Sequence, residues 1–237
     1  MRKNPIFVHA LFRTGSTYFW NKFRKNNNFL CYYEPFHQIL SKYNKNIRWN
    51  INDEILKIMN HPIIDKVHFY EYENFIEDKQ SGIPFFKKKF SYDEFCQISD
   101  DAEYKSYIDF LIKKSKNKIS FLQFNRTALR VKWFKENYND SLNLYLLRNP
   151  RDQWQSYYNL YIKNKIDFIL SDLIIMSKNL NFKNMKLLSE KLFFIDFSYN
   201  DYYDEELLYK KILDCYNFDE LYYIFYFIWL TSFVENV

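Results

Sequence analysis

A chain of 237 residues in which 48% are apolar has enough material for one sizeable core. Its net charge of +5 is mild and spread along the sequence, with no dense Lys/Arg block, so a nucleic-acid module is the least favoured class. The three cysteines, Cys31, Cys96 and Cys215, are far apart, odd in number and outside any metal-ligand spacing, which argues against a disulfide framework and for a reducing compartment. With 22 Tyr and 25 Phe the core is expected to be aromatic, a usage that carries no binding argument by itself.

Arg2 and Lys3 precede an apolar run that stops at Arg13 without a small-residue cleavage site, so no signal peptide is expected. Residues 5–12 read as a buried strand and 17–25 as a helix with Phe19, Trp20 and Phe23 on one face and Asn21, Lys22, Arg24 and Lys25 opposite. Between them lies Arg13-Thr14-Gly15-Ser16-Thr17. Strand, tight turn and helix in that order build an anion cradle, because the first amides of a helix lack intrahelical partners and the dipole is positive there. The chain has only two glycines, Gly15 and Gly82, so Gly15 is expected to have a backbone reason, positive φ or close approach of a ligand. Arg13 adds a planar fork of donors, and Thr14, Ser16 and Thr17 add hydroxyls. The stretch reads as a seat for phosphate or sulfate, although alone it reads equally as an ordinary capped turn. It is not a Walker A loop, since that motif's first Gly and its Lys are both absent.

Residues 29–33 form a second apolar run, followed by Glu34-Pro35-Phe36-His37. This βαβ order predicts a parallel sheet, whose ligands bind off the carboxyl ends of the strands, so Glu34 should share an edge with the Arg13 turn. Residues 41–117 lose the rhythm and read as an insertion of helices and loops that walls the ligand cleft of a single domain spanning 1–237. It holds helices at 53–59 and 101–116, the latter with Tyr104, Tyr107, Ile108 and Leu111 on one face, and a turn at 81–84. The rhythm resumes with a strand at 118–124, a helix at 127–136 and a strand at 142–147 that ends in Arg148-Asn149-Pro150-Arg151. A helix at 152–163 follows and carries Ser156 about one turn in, which makes a second anion seat on the same edge. The remainder reads as mainly helical, with a short strand at 192–197. The apolar stretch 221–234 is shorter than the ~20 residues of a membrane span and suits a buried helix, so a soluble, cytoplasmic protein is expected. The fold class is therefore a three-layer α/β architecture with a central, mainly parallel sheet. His9, on an apolar strand, reads as a core histidine; His61 and His68 have no motif around them. Arg126 and Arg130, four apart at a predicted helix start, read equally as ligand contacts or as an ion-paired face.

Two anion seats with a carboxylate between them resemble the sulfotransferases that use 3′-phosphoadenosine 5′-phosphosulfate. Arg-Thr-Gly-Ser-Thr at 13–17 resembles their 5′-phosphosulfate loop, and Leu-Leu-Arg-Asn-Pro-Arg-Asp-Gln-Trp-Gln-Ser at 146–156 their 3′-phosphate motif. Tyr-Tyr-Glu-Pro-Phe-His at 32–37 is similar to a segment of the carbohydrate sulfotransferases, and Phe-Asn-Arg-Thr-Ala-Leu-Arg at 124–130 to bacterial members. The resemblance covers residues 5–37 and 118–160 and thins over the insertion and the C-terminal third. It implies that an acceptor hydroxyl, of a carbohydrate, attacks sulfur in line while 3′,5′-adenosine diphosphate leaves, without a metal, a nucleic acid or integral membrane association. The positions from Thr14 to Thr17 would take the 5′-phosphate and sulfuryl oxygens, and Arg13 the bridging oxygen. Arg148 and Ser156 would take the 3′-phosphate. Glu34 is the implied general base, with His37 as the rival; Glu34 reads alternatively as a structural partner for an arginine, Arg13 among them. Related chains usually continue past such an aromatic helix, so the resemblance also implies a further C-terminal part. Two other classes stay open: a nucleotide-binding enzyme such as a kinase, and a truncated or non-catalytic nucleotide-binding protein.

Overall fold

A computed structural model of the chain describes residues 4–44, 57–59, 61–62, 64, 67–76, 82–164, 168–191 and 214–236. Four strands, β1 (Ile6–Ala10), β2 (Phe29–Tyr33), β3 (Ile119–Phe124) and β4 (Leu142–Leu146), form one all-parallel sheet in the order β2-β3-β1-β4. Parallel neighbours need crossovers, and the helices that supply them cover both faces. On one face α1 (Ser16–Arg24) stacks Phe23 on Phe121 at 4.5 Å and Trp20 against Tyr33 at 4.9 Å. On the other, α2 (Asp101–Lys114) accepts the Tyr32 hydroxyl at the Leu111 carbonyl, and α3 (Val131–Asn137) packs Phe134 against Phe7 at 4.8 Å. The register explains the division: Phe7, Leu122 and Tyr32 sit side by side on the second face, Phe121 and Cys31 on the first. The fold is a three-layer α/β architecture.

A second apolar cluster lies beyond the carboxyl end of β1, around Leu11 and Phe12. It is built by α4 (Pro150–Asn164), α5 (Phe168–Lys178), α6 (Lys183–Lys191) and α7 (Phe218–Val234). Asn217 and Glu220 close a reciprocal capping box at the start of α7, which satisfies two of its orphan amides. The helix buries Leu221, Ile224, Phe225 and Ile228, the i, i+3, i+4, i+7 stripe of a core-facing helix. Two bonds tie it to the end of β4: Trp229 Nε1 donates to the Arg148 carbonyl at 3.0 Å, and the Tyr145 hydroxyl donates to Ser232 Oγ at 2.9 Å. No helix among the described residues is long and apolar enough to cross a membrane.

The structure differs from the sequence reading in particular places. The first strand ends at Ala10 because Leu11 and Phe12 turn out of the sheet into the second cluster. The helix expected from 127 begins at Val131, since the chain before it makes a turn closed by Arg130 N–H on the Thr127 carbonyl at 2.9 Å. In the stretch 41–117 the described elements are two short 3-10 turns, Tyr70–Phe75 and Lys88–Phe90, the last residue of a third (Gln38–Ser41), the helical residues 57–58 and α2. Of the helix expected at 53–59 only 57–59 are described, and the strand expected at 192–197 lies outside the described residues. Gly82 has φ +86, and a Cβ there would lie 2.5 Å from the Ser41 carbonyl oxygen, so only glycine fits this close return of the chain.

Candidate anion-binding site

Because every strand runs the same way, the turns after β1, β2, β3 and β4 emerge on one edge. The turn after β1 has the shape its residues called for. Arg13 is left-handed at φ 64 and Gly15 at φ 94, while Thr14 between them is not. Left-handed residues so placed in a turn are the kind of backbone from which anion-binding nests of successive amides are built. Gly15 stands at the N-cap of α1 with no side-chain cap, so the amides of the first turn are left without intrahelical acceptors. A Cβ added to Gly15 would meet nothing within 4 Å among the described residues.

The hydroxyls of the turn face inward. Ser16 Oγ donates to Asn125 Oδ1 at 2.7 Å, Thr17 Oγ1 lies 3.1 Å from the Tyr33 hydroxyl, and Thr14 Oγ1 donates to the Leu11 carbonyl at 3.1 Å. The groups left for a ligand are the backbone amides and the neighbouring cations.

Those cations come from both motifs. Arg13 Nε donates to Ser156 Oγ at 3.0 Å, its second terminal nitrogen donates to the Met59 carbonyl at 2.7 Å, and Arg148 donates to the Arg13 carbonyl at 3.0 Å. The two sequence motifs, 135 residues apart at their arginines, are therefore one site. Among the described residues neither Arg13 nor Arg148 pairs with a carboxylate. Burial lowers the Arg13 pKa, and the like charge of Arg148 adds to the effect. Among the described residues, Arg13 and Arg148 thus lie side by side at the N-terminus of α1 without a carboxylate partner, the electrostatic setting in which helix N-termini take anions.

Glu34 sits on the same edge, after β2, in a left-handed conformation at φ 44 and only 2% exposed. Its Oε2 accepts from Arg126 at 2.8 Å and from the Asn125 amide at 3.2 Å. Its arginine partner is thus Arg126, not Arg13. Burial raises the Glu34 pKa, opposed by the Arg126 charge. Arg126 and Arg130 are buried: Arg126 also donates to Gln38 and the Tyr92 hydroxyl, and Arg130 lies between the rings of Phe36 and Tyr104, 5.1 Å from each. His37 accepts from the Ile39 amide at Nδ1, capping a 3-10 turn, and burial with the Arg126 charge holds its pKa well below the usual range.

His9 is fully buried with both ring nitrogens bonded, to Thr127 at 2.8 Å and to Asn143 at 3.0 Å. Burial lowers its pKa to about 4. A histidine whose native pKa lies below its unfolded value contributes stability above about pH 6.5 that is lost as the pH falls toward 4. Urea titrations should lose on the order of 3 kcal/mol to this group across that window. His9→Gln should flatten the decline; an unchanged slope would assign it to other residues.

The sequence reading missed three groups at the site. Asn125 links Ser16 to the end of β3, Gln153 Nε2 donates to the Phe12 carbonyl at 2.6 Å and holds the turn, and His61 Nε2 lies 3.2 Å from Arg13. Asn125 and Gln153, inside the stretches 124–130 and 146–156 that carry the family resemblance, had a signal in the sequence; His61 had none. No known protein family, curated protein or solved structure matches the chain.

Proposed function

We propose that the chain is a sulfotransferase that moves a sulfuryl group from 3′-phosphoadenosine 5′-phosphosulfate to an acceptor hydroxyl, that of a carbohydrate, as a cytoplasmic enzyme. The observation that carries this reading is the merger of the Arg13–Thr17 turn with Arg148 and Ser156 into one cationic cluster, its arginines paired with no carboxylate among the described residues. The co-substrate supplies an activated sulfuryl group with a good leaving group. The chain's part is to place and neutralise charge, as in phosphoryl transfer. The amides of Gly15, Ser16 and Thr17 would hold the 5′ end, Arg148 and Ser156 the 3′-phosphate, and Arg13 would sit where charge grows on the leaving side. Glu34, buried with its pKa raised, would accept the acceptor's proton, and Arg126 fixes its orientation.

Calorimetric titration with 3′,5′-adenosine diphosphate, 5′-adenosine monophosphate and ATP tests the assignment. The 3′,5′-diphosphate should bind at least about tenfold more tightly than the monophosphate, and Arg148→Ala should weaken it about 10–100-fold, the worth of one charge-assisted bond. Equal binding of both adenosine phosphates, or none by folded protein, would remove the reading. Magnesium-dependent ATP turnover would favour a kinase instead. With binding secured, an acceptor screen over hydroxylated sugars follows, with Glu34→Gln as the inactive control.

A further inference from the structure

Asn125 stands one residue past the end of β3, and the strand order places β3 between β2 and β1. Its turn therefore lies between the turn that carries Glu34, after β2, and the turn that carries the cradle, after β1. The residue is bonded to both. Its Oδ1 accepts from Ser16 Oγ at 2.7 Å, in the first turn of α1, and from Gln123 Nε2 at 2.9 Å. Its backbone N–H donates to Glu34 Oε2 at 3.2 Å. Asn125, Ser16, Gln123 and Glu34 are all buried, so water does not compete for these bonds. The other partner of Glu34, Arg126, is held by Gln38 and the Tyr92 hydroxyl, so the contact that reaches the cradle is the one through Asn125. The bonds from Asn125 and Arg126 both end on Oε2, and neither engages Oε1.

The chemistry of the position suits asparagine. Ser16 and Gln123 both direct hydrogens at one side-chain oxygen, while a carboxylate next door accepts and cannot donate. An amide gives the first two an uncharged acceptor and turns only donors toward Glu34. Burial raises the Glu34 pKa, and the Arg126 charge, followed by hydrogen bonds from the main chain and side chain of Asn125, opposes it. We propose that Asn125 is a positioning residue of the transfer reaction: its side chain is anchored to the cradle helix and its main chain holds the Glu34 carboxylate, so that the base keeps a fixed place relative to the bound nucleotide. The inference deepens the sulfotransferase reading and rests on it for the role of Glu34. Fixing a reacting group in this way carries weight because a misplacement of about 1 Å can cost about 10²-fold in rate.

The test uses the full chain with 13C-labelled glutamate carboxyls, the Glu34 signal being assigned by its loss in Glu34→Gln. Asn125→Leu cuts the anchor. It should bind 3′,5′-adenosine diphosphate within about threefold of the parent, raise the pH at which Glu34 titrates, and lower single-turnover transfer at saturating nucleotide about 10–100-fold. Asn125→Asp keeps an acceptor for Ser16 and Gln123 but sets a like charge beside Glu34. It should recover the rate on the alkaline plateau to within about fivefold of the parent, with the Glu34 titration and the acid limb of the rate moved up by about one pH unit or more. The limb moves up because Glu34 accepts a proton only when ionised. A Glu34 titration unmoved in both variants overturns the proposal, as does a parent-like rate in Asn125→Leu. Nucleotide affinity lost in Asn125→Leu as steeply as the rate overturns it too, by reducing Asn125 to a support of the cradle. Should the leucine variant not fold, the near-isosteric aspartate variant decides by its plateau rate and its Glu34 titration. A moved Glu34 titration in a protein that transfers no sulfuryl group would instead sink the sulfotransferase assignment and leave Asn125 as the anchor of Glu34.

Discussion

Replacing Arg126 with methionine is expected to destabilise the protein by about 3–5 kcal/mol, the usual result of stripping a buried carboxylate of its partner. Glu34 and Arg126 are each about 3% exposed in their side chains and lie 2.8 Å apart, so solvent cannot take over for the missing cation. Methionine keeps most of the volume, which makes the loss electrostatic and not a cavity effect. In a domain of this size such a loss lowers the melting temperature by roughly 10 °C. The paired variant, Glu34→Gln with Arg126→Met, should recover more than half of the loss, because the uncompensated charge is gone. Urea denaturation of the parent, both single variants and the double closes the cycle. A cost below about 1 kcal/mol for Arg126→Met would mean that Glu34 is protonated in the native state and that its burial outweighs the ion pair.

Arg13→Ala is expected to lower sulfuryl transfer by about 10²–10³, the effect of deleting one donor aimed at developing charge. Stability should move far less, because removing Arg13 also removes a like charge that bears on it from Arg148. Arg13→Lys restores the charge but not the planar fork that reaches Ser156, His61 and the Met59 carbonyl together, so it should recover only part of the rate. Single-turnover release of 3′,5′-adenosine diphosphate, with the acceptor found in the screen, measures all three forms. A rate unchanged in Arg13→Ala, with nucleotide still bound, would place the charge-stabilising group elsewhere.

Much of the sheet was legible because its strands are short apolar runs bounded by turn residues. Phe29–Tyr33 was read to the residue, and β3 and β4 to within one. The first strand was read as 5–12, one residue longer than β1 at its start and two at its end, since Leu11 and Phe12 are as apolar as the strand but serve another cluster. Arg126 and Arg130 were ambiguous for a related reason. Helical spacing and charge suggest an exposed face, and nothing local shows that Glu34, 92 positions earlier, and the rings of Phe36 and Tyr104 take both side chains into the interior.

Local physics alone determined several features of this protein. With two glycines in the whole chain, one at a strand–helix turn, a backbone reason for Gly15 was readable before any coordinates, and of the two expected the structure shows positive φ. The alternation of apolar runs with amphipathic helices required parallel strands and put Arg13, Glu34 and Arg148 on one edge. Tertiary structure alone decided what those residues touch. The Arg13–Ser156 bond, the Glu34–Arg126 pair and the Arg13–His61 contact span 143, 92 and 48 positions, and no spacing rule reaches that far. Hydroxyls that looked free to bind a ligand were claimed by Asn125 and Tyr33, because a buried polar group takes the nearest partner the fold brings to it.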